Sequence, residues 1–142
     1  MKNDGATAWP IKELRINGEK LMDSKPDIVP RTRAYALSII NLYRELEKDS
    51  VGKILGKQLL RSGTSVGANI HEAQGGQSKA DFVSKVSIAY KEALESEFWL
   101  RLVREDKCIR ANGLSKILDE TNQLIKILSS ILLSSKRNLE KQ

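Results

Sequence analysis

Residues 61–76 of the chain read RSGTSVGANIHEAQGG. Seven of the first eight residues in this stretch are small or β-branched, and it contains the only histidine of the protein, His71. Such a composition suits a phosphate-binding loop, a catalytic turn, or a helix whose small side chains let a neighbour pack closely. The first two alternatives would make the protein an enzyme or a nucleotide binder, whereas the third concerns packing.

The two chemical alternatives need residues that the sequence lacks. A P-loop reads G-x-x-x-x-G-K-[S/T], but Gly63 and Gly67 have a different spacing and neither precedes a lysine. His71 and Glu72 begin like the zinc helix H-E-x-x-H, yet Gly75 stands at the second histidine position. The spacing of the serines does not indicate a Ser–His–acid triad with His71 as its base. We therefore expect no catalytic residues, no metal and no cofactor.

Periodicity favours the helix. One face of it carries small and aliphatic residues at about 100° per residue: Leu59, Gly63, Val66, Ile70 and Ala73. Glycine in a helix interior costs about 1 kcal/mol relative to alanine, so the glycines are expected where another helix approaches closely. A polar stripe follows the roughly opposite face, at Arg61, Ser65, Asn69 and Glu72. We interpret it as a contact surface for another helix or another subunit, and the alternative is an ordinary solvated face.

Three other segments have a helical period as well. The first begins at Arg31 and carries apolar residues every three or four positions to Leu46, after which Ser50 is a candidate N-cap,. The third helix of the chain follows the quoted stretch, and Ser78 and Asp81 at its start resemble a capping box,.

The last two helices are predicted to be long. The apolar face of the first of them runs from Phe82 to Val103, and we expect Leu94, Phe98 and Leu102 to widen it. The final segment, 114–135, has a heptad seam,. The short connections predict an all-α fold, an antiparallel up-down four-helix bundle.

The chain of 142 residues is expected to form one domain with two extensions,. All three prolines lie at or before Pro30, and we predict an N-terminal arm over residues 1–30, flexible or peripherally docked. The bundle is predicted over residues 31–137, followed by a C-terminal tail over 138–142. Neither a signal core nor an apolar run of membrane-spanning length occurs in the sequence,, so we expect a cytoplasmic protein without a membrane partner.

Charge points to an anionic partner. Lys and Arg total 24 against 18 acidic residues, which gives a net charge of +6 and a pI near 9.5. Such a balance suits RNA or DNA, bound through the phosphate backbone, and the alternative is again a solvated face. Two groups of basic residues are candidates for this contact. The first follows the approach to the second helix and the second lies at the end of the third helix: Lys53, Lys57 and Arg61; and Arg101, Arg104, Lys107 and Arg110.

The run R-S-G-T-S-V-G-A-N-I-H-E-A resembles the signature of the four-helix-bundle family of 23S rRNA intervening-sequence proteins. Five residues fall on that pattern: Arg61, Ser65, Asn69, Ile70 and Glu72. In the third helix, Glu95 and Glu97 match the family's Ser-x-x-Glu-x-Glu. His71 stands where the family usually has alanine, and Ala73 where it usually has glycine. The accessory variability determinant of diversity-generating retroelements is similar in fold.

The resemblance implies a homopentameric ring without established catalytic activity, in which Arg61 and Glu72 are candidates for intersubunit or inter-helix contacts. Members related to the retroelement protein bind nucleic acid and a reverse transcriptase through a basic surface. We therefore expect a non-catalytic oligomeric protein that binds RNA or DNA. The alternative is a protein-interaction scaffold or accessory subunit, for example for a reverse transcriptase.

Overall fold

The computed structural model describes residues 15–16, 19–20 and 27–140, with side chains described from 27 to 137. Four helices account for nearly all of this: α1 Ile28–Leu46, α2 Ser50–Ala73, α3 Lys79–Glu105 and α4 Leu114–Glu140. The predicted all-α fold with four helices is thus confirmed. Most of the predicted arm, 1–30, lies outside the described residues, as do 141–142 of the predicted tail. Two short strands in the arm, β1 Arg15–Ile16 and β2 Glu19–Lys20, pair antiparallel, and β1 lies against α4.

Two helix starts differ from the predicted positions, and side-chain capping explains both. Helix α1 begins at Ile28 rather than Arg31, because the Asp27 carboxylate accepts a hydrogen bond from the Val29 amide at 2.9 Å. Pro30 then lies in the first turn, where its missing N–H breaks no intrahelical bond. The N-cap of α2 is Asp49, which accepts from the Gly52 amide at 2.8 Å, so Ser50 is the first helical residue and not the cap.

The predicted capping box before α3 is present in a modified form. Ser78 Oγ accepts from the Asp81 amide at 3.1 Å, and Asp81 Oδ2 accepts from the Gln77 amide at the same distance. In a full capping box, the acidic side chain would accept a hydrogen bond from the backbone amide of the cap residue itself. The connection from α3 to α4 contains Gly113, whose φ of 74° suits a residue without a side chain,.

The core lies where the main stripes of the four helices meet, as the periodicity predicted. The predicted apolar face of α2 is buried along its whole length, from Leu59 to Ala73. Three residues of α3 are an exception, because Leu94, Phe98 and Leu102 are exposed instead of widening the core face. They lie on the outer side of α3, and Phe98 leaves 54% of its surface uncovered.

Helices α1 and α2 pack closely, which explains the two glycines within the helical part of the quoted stretch. A Cβ added at Gly63 would lie 2.8 Å from Ile39 Cγ1, and one at Gly67 would lie 3.0 Å from the Thr32 carbonyl oxygen. Real Cβ atoms essentially never show the first distance, and the second is tighter than most real Cβ contacts. The prediction that these glycines permit close helix packing is confirmed.

Hydroxyl groups from all four helices occupy one buried layer of the core. Ser62 of α2 contacts Ser96 of α3 at 2.8 Å between their oxygens, and Tyr35 of α1 contacts Thr121 of α4 at 2.6 Å. The Thr121 hydroxyl donates to the Ile117 carbonyl, so Tyr35 is the donor in its own bond. Because buried polar groups need partners, these pairs favour one register between neighbouring helices.

Among the helices that the structure describes, none combines the length and the apolar character needed to cross a bilayer.

Candidate functional site

The polar stripe of α2 lies along its seam with α3, and Arg61 is its best-connected member. The Arg61 guanidinium contacts Glu92 Oε2 at 3.0 Å and Glu95 Oε2 at 2.6 Å. Trp99 Nε1 donates a further hydrogen bond to Glu95 Oε2 at 2.9 Å. The Trp99 N–H first, and then the Arg61 guanidinium, lower the pKa of Glu95 despite partial burial. This arrangement joins two helices of one chain through a charged network.

The other three residues of the stripe also find partners within the same chain. Glu72 receives the Lys85 ammonium at 2.8 Å, and this hydrogen bond lowers the pKa of Glu72 and raises that of Lys85. Asn69 donates to the Ser65 carbonyl at 2.9 Å and to Ser65 Oγ at 3.0 Å. The structure therefore uses Arg61 and Glu72 to hold α3 against α2.

Glu95 and Glu97, the residues of α3 that match the family pattern, contact different partners. Glu95 faces Arg61, whereas Glu97 pairs with Arg101 one turn further along α3, at 3.5 Å. Within the described part of the chain, no group of three or more His, Cys, Asp or Glu side chains is placed to hold a metal ion. His71 is exposed on α2.

The seven candidate nucleic-acid residues fall into two classes. Arg61 and Arg101 are engaged in the ion pairs just described. The other five are exposed, and none of them forms an ion pair with another residue among 27–137: Lys53, Lys57, Arg104, Lys107 and Arg110. These five residues, called the basic end below, keep their charges available to an anion.

The pairing of α2 with α3 places the five residues of the basic end at the same end of this helix pair. Ser62 contacts Ser96, and Glu72, which comes later in α2, contacts Lys85, which comes earlier in α3. The start of α2, with Lys53 and Lys57, must therefore lie at the same end of this helix pair as the close of α3 and the loop that follows. Two groups separated by more than forty residues in sequence thus lie at one end.

Sequence reasoning missed a second surface, between α1 and α4. A cleft of about 760 Å³ opens there, and Tyr35, Leu42 and Ile117 line it together with polar residues of both helices. Below the cleft, Arg31 contacts Glu120 Oε1 and Gln123 Oε1, each at 2.7 Å. The sequence does contain a pattern for this surface, because small and polar residues of α1 that line the cleft repeat at helical spacing: Ala34, Ser38, Asn41 and Glu45.

Comparison with known proteins gave two findings. The family model described as 23S rRNA-intervening sequence protein matches residues 25–130. The chain is also similar to a protein with unknown function from the S23 ribosomal protein family from Bacteroides thetaiotaomicron VPI-5482, whose crystal structure has a resolution of 1.70 Å. The two are 40% identical, the match covers 75% of this chain and 98% of that chain, and the TM-score is 0.69. Comparison with curated proteins gave no match.

Proposed function

Since the chain belongs to the 23S rRNA-intervening sequence protein family, we propose that it is a non-catalytic protein that binds the backbone of RNA or DNA through its basic end. The observation that carries the proposal is the set of five exposed cations without ion-pair partners among the described side chains. Phosphate contacts need charge and reach rather than a shaped pocket. Lysine and arginine side chains at a bundle end supply both.

The energetics of such a contact come mainly from counterion release. Each neutralised phosphate contributes about −0.7 to −0.9 to the slope of log affinity against log salt concentration. If all five cations of the basic end contact phosphates, the slope is expected to be about −4. Nearby acids, Glu105 and Asp106 at the close of α3 and Asp49 at the N-cap of α2, reduce the local charge, so we expect moderate affinity and little preference for base sequence.

The test is fluorescence anisotropy with a labelled RNA hairpin and a DNA duplex of the same length, titrated at several salt concentrations. The double variant Lys53→Gln, Lys57→Gln should bind both more weakly and reduce the magnitude of the slope by roughly 1.4 to 1.8. Lys126→Gln removes an exposed charge of α4 that has no ion pair among the described residues, and it should bind as the parent does. A slope near zero, or equal losses in test and control variants, would contradict the proposal.

We further propose that the bundle has antiparallel up-down topology and that five copies assemble into a ring. The order of contacts along α2 and α3 supports the first part. The exposed apolar residues of α3, Leu94, Phe98 and Leu102, support a self-association surface, since a solvated helix face rarely carries such a stripe. Native mass spectrometry should give the mass of a pentamer, and Phe98→Asp should shift it toward the monomer. A monomeric parent protein would refute the ring.

A further inference from the structure

Arg61 continues a line of cations that begins in the basic end. Lys53, Lys57 and Arg61 lie four residues apart on one side of α2, and about 12 Å of helix separates the first from the last,. All three side chains are exposed. The two lysines have no ion-pair partner among the described residues, whereas Arg61 has two. Its pairing with α3 therefore distinguishes Arg61 from its neighbours in this line.

The two acids that hold Arg61 are more covered than the arginine itself. Glu92 leaves 17% of its side chain exposed and Glu95 leaves 35%, against 53% for Arg61. The acids engage both terminal nitrogens of the guanidinium, Nη1 at 3.0 Å and Nη2 at 2.6 Å. Glu95 is itself fixed, because Trp99 Nε1 donates to the same carboxylate oxygen that Arg61 contacts. A ligand approaching from solvent thus meets the guanidinium before the carboxylates.

The charge of this cluster opposes the binding of an anion. One guanidinium (+1) and two carboxylates (−2) give it a net charge of −1, whereas Lys53 and Lys57 each contribute a full positive charge. A phosphate beside Arg61 would gain one attraction and meet two repulsions at similar distances. It would also have to share terminal N–H groups that the carboxylates already engage,. A phosphate contact at Arg61 is therefore disfavoured, although the side chain is exposed.

We propose that Glu92 and Glu95 hold Arg61 in an autoinhibitory contact, which keeps a sixth cation from a nucleic acid bound at the basic end. This inference rests on the proposed function and adds a limit to it, because bound phosphates follow α2 past Lys53 and Lys57 and stop before Arg61. The same two ion pairs join α3 to α2, so one contact stabilises the bundle and restricts the binding site. Removal of the two negative charges should make Arg61 a phosphate contact.

The test measures the slope of log affinity against log salt concentration, because each additional phosphate contact adds about 0.7 to 0.9 to its magnitude. The full chain is titrated with the same labelled RNA hairpin and DNA duplex. In the double variant Glu92→Gln, Glu95→Gln the amide oxygens can still accept from Arg61, while their charge is lost. We expect tighter binding and a slope whose magnitude is larger by about 0.7 to 0.9. Adding Arg61→Met to this variant should return the slope to the parent value.

Two controls separate a released cation from a general change of charge. Glu47→Gln, Glu105→Gln removes two exposed acids, at the close of α1 and of α3, that pair with no cation among the described residues. This variant should also bind more tightly, but its slope should equal that of the parent, because no cation is released. Arg61→Met in the parent should leave the slope unchanged, whereas Lys57→Gln should reduce its magnitude by about 0.7 to 0.9.

The proposal is overturned if Glu92→Gln, Glu95→Gln keeps the parent slope, if the Glu47→Gln, Glu105→Gln variant steepens it equally, or if Arg61→Met lowers its magnitude as Lys57→Gln does. Each of these outcomes leaves the proposed function standing, since the parent slope is still steep. A parent slope near zero contradicts both proposals.

Circular dichroism checks the fold of each variant. If Glu92→Gln, Glu95→Gln loses helix content, Glu92→Gln alone replaces it, because Glu95 then keeps its contacts with Arg61 and Trp99. This single variant should show a smaller increase in slope magnitude, and an unchanged slope overturns the proposal.

Discussion

Removal of the Tyr35 hydroxyl is expected to lower the stability of the protein at neutral pH and to raise it at high pH. In Tyr35→Phe the ring stays in the core, where only 3% of Tyr35 is exposed, but its 2.6 Å hydrogen bond to Thr121 is lost. Thr121 keeps its bond to the Ile117 carbonyl, and Ser96 keeps Ser62 and the Glu92 carbonyl. No buried donor is orphaned, so the free energy of unfolding should fall at pH 7 by about 1 kcal/mol, the net value of one hydrogen bond.

At high pH the same hydroxyl destabilises the folded protein. Burial raises the pKa of Tyr35 to about 12, and this outweighs the hydrogen bonds to Thr121 and Ser96, which lower it. In the unfolded chain a tyrosine ionises near pH 10. The parent protein therefore loses stability as pH rises from about 10 towards 12, by about 1.4 kcal/mol per pH unit, whereas Tyr35→Phe lacks this loss. The variant, less stable at neutral pH, should become the more stable protein above a crossover near pH 11.

The measurement is urea unfolding followed by circular dichroism at pH 7, 9, 10, 11 and 11.5 for both proteins. Only the difference between them is interpreted, because other groups of the chain titrate equally in both. Tyr90→Phe is the matched control at pH 7, since it removes the same atom from a half-buried side chain and should cost less than about 0.5 kcal/mol. Parallel stability curves for the parent and Tyr35→Phe between pH 9 and 11.5 would refute the reasoning.

Two further predictions concern α2. Gly63→Ala should reduce the free energy of unfolding by about 1–3 kcal/mol through overpacking, because its new methyl would lie 2.8 Å from Ile39; Gly75→Ala, with its nearest neighbour at 3.7 Å, should be close to neutral in the same urea experiment. A double-mutant cycle of Arg61→Met and Glu95→Gln should give a coupling of about 0.5–1 kcal/mol at pH 7. Because the pKa of Glu95 is lowered in the folded chain, this coupling is fully present above the ordinary glutamate pKa and is lost as pH falls below it through the lower pKa of the folded state; a coupling that persists at pH 2 would contradict an ion pair.

The sequence was sufficient for the helices but not for the outer side of α3. Leu94, Phe98 and Leu102 repeat at i, i+4 and i+8, which is a helical stripe in its own right,. Phe98 lies about 160° around the helix from the buried Leu100, so the two belong to opposite faces. Periodicity reports that a face is apolar and leaves open what covers it. Only the packing of α2 and α4 determines which apolar stripe of α3 is the core.

The partners of the polar stripe could not be predicted for a related reason. Arg61 and Glu72 are eleven residues apart on one helix, too far to pair with each other, so each needs a partner from elsewhere. Whether that partner is another helix or another subunit depends on the register between α2 and α3. The buried Ser62–Ser96 contact favours that register, and no local pattern around either serine distinguishes it from an ordinary small residue.

The resulting geometry separates family membership from function. The motif residues Arg61 and Glu72 are paired with α3 of the same chain, and Ser65 with Asn69, so the motif specifies how two helices are joined. Cations that remain available, such as Lys57, lie outside it. A substitution of Arg61 should therefore act first on stability, whereas one of Lys57 should act on the nucleic-acid binding that we propose. If binding depends on surface charges, as we propose for this chain, proteins that share this motif can share the bundle and still differ in what they bind, because the motif does not constrain those charges.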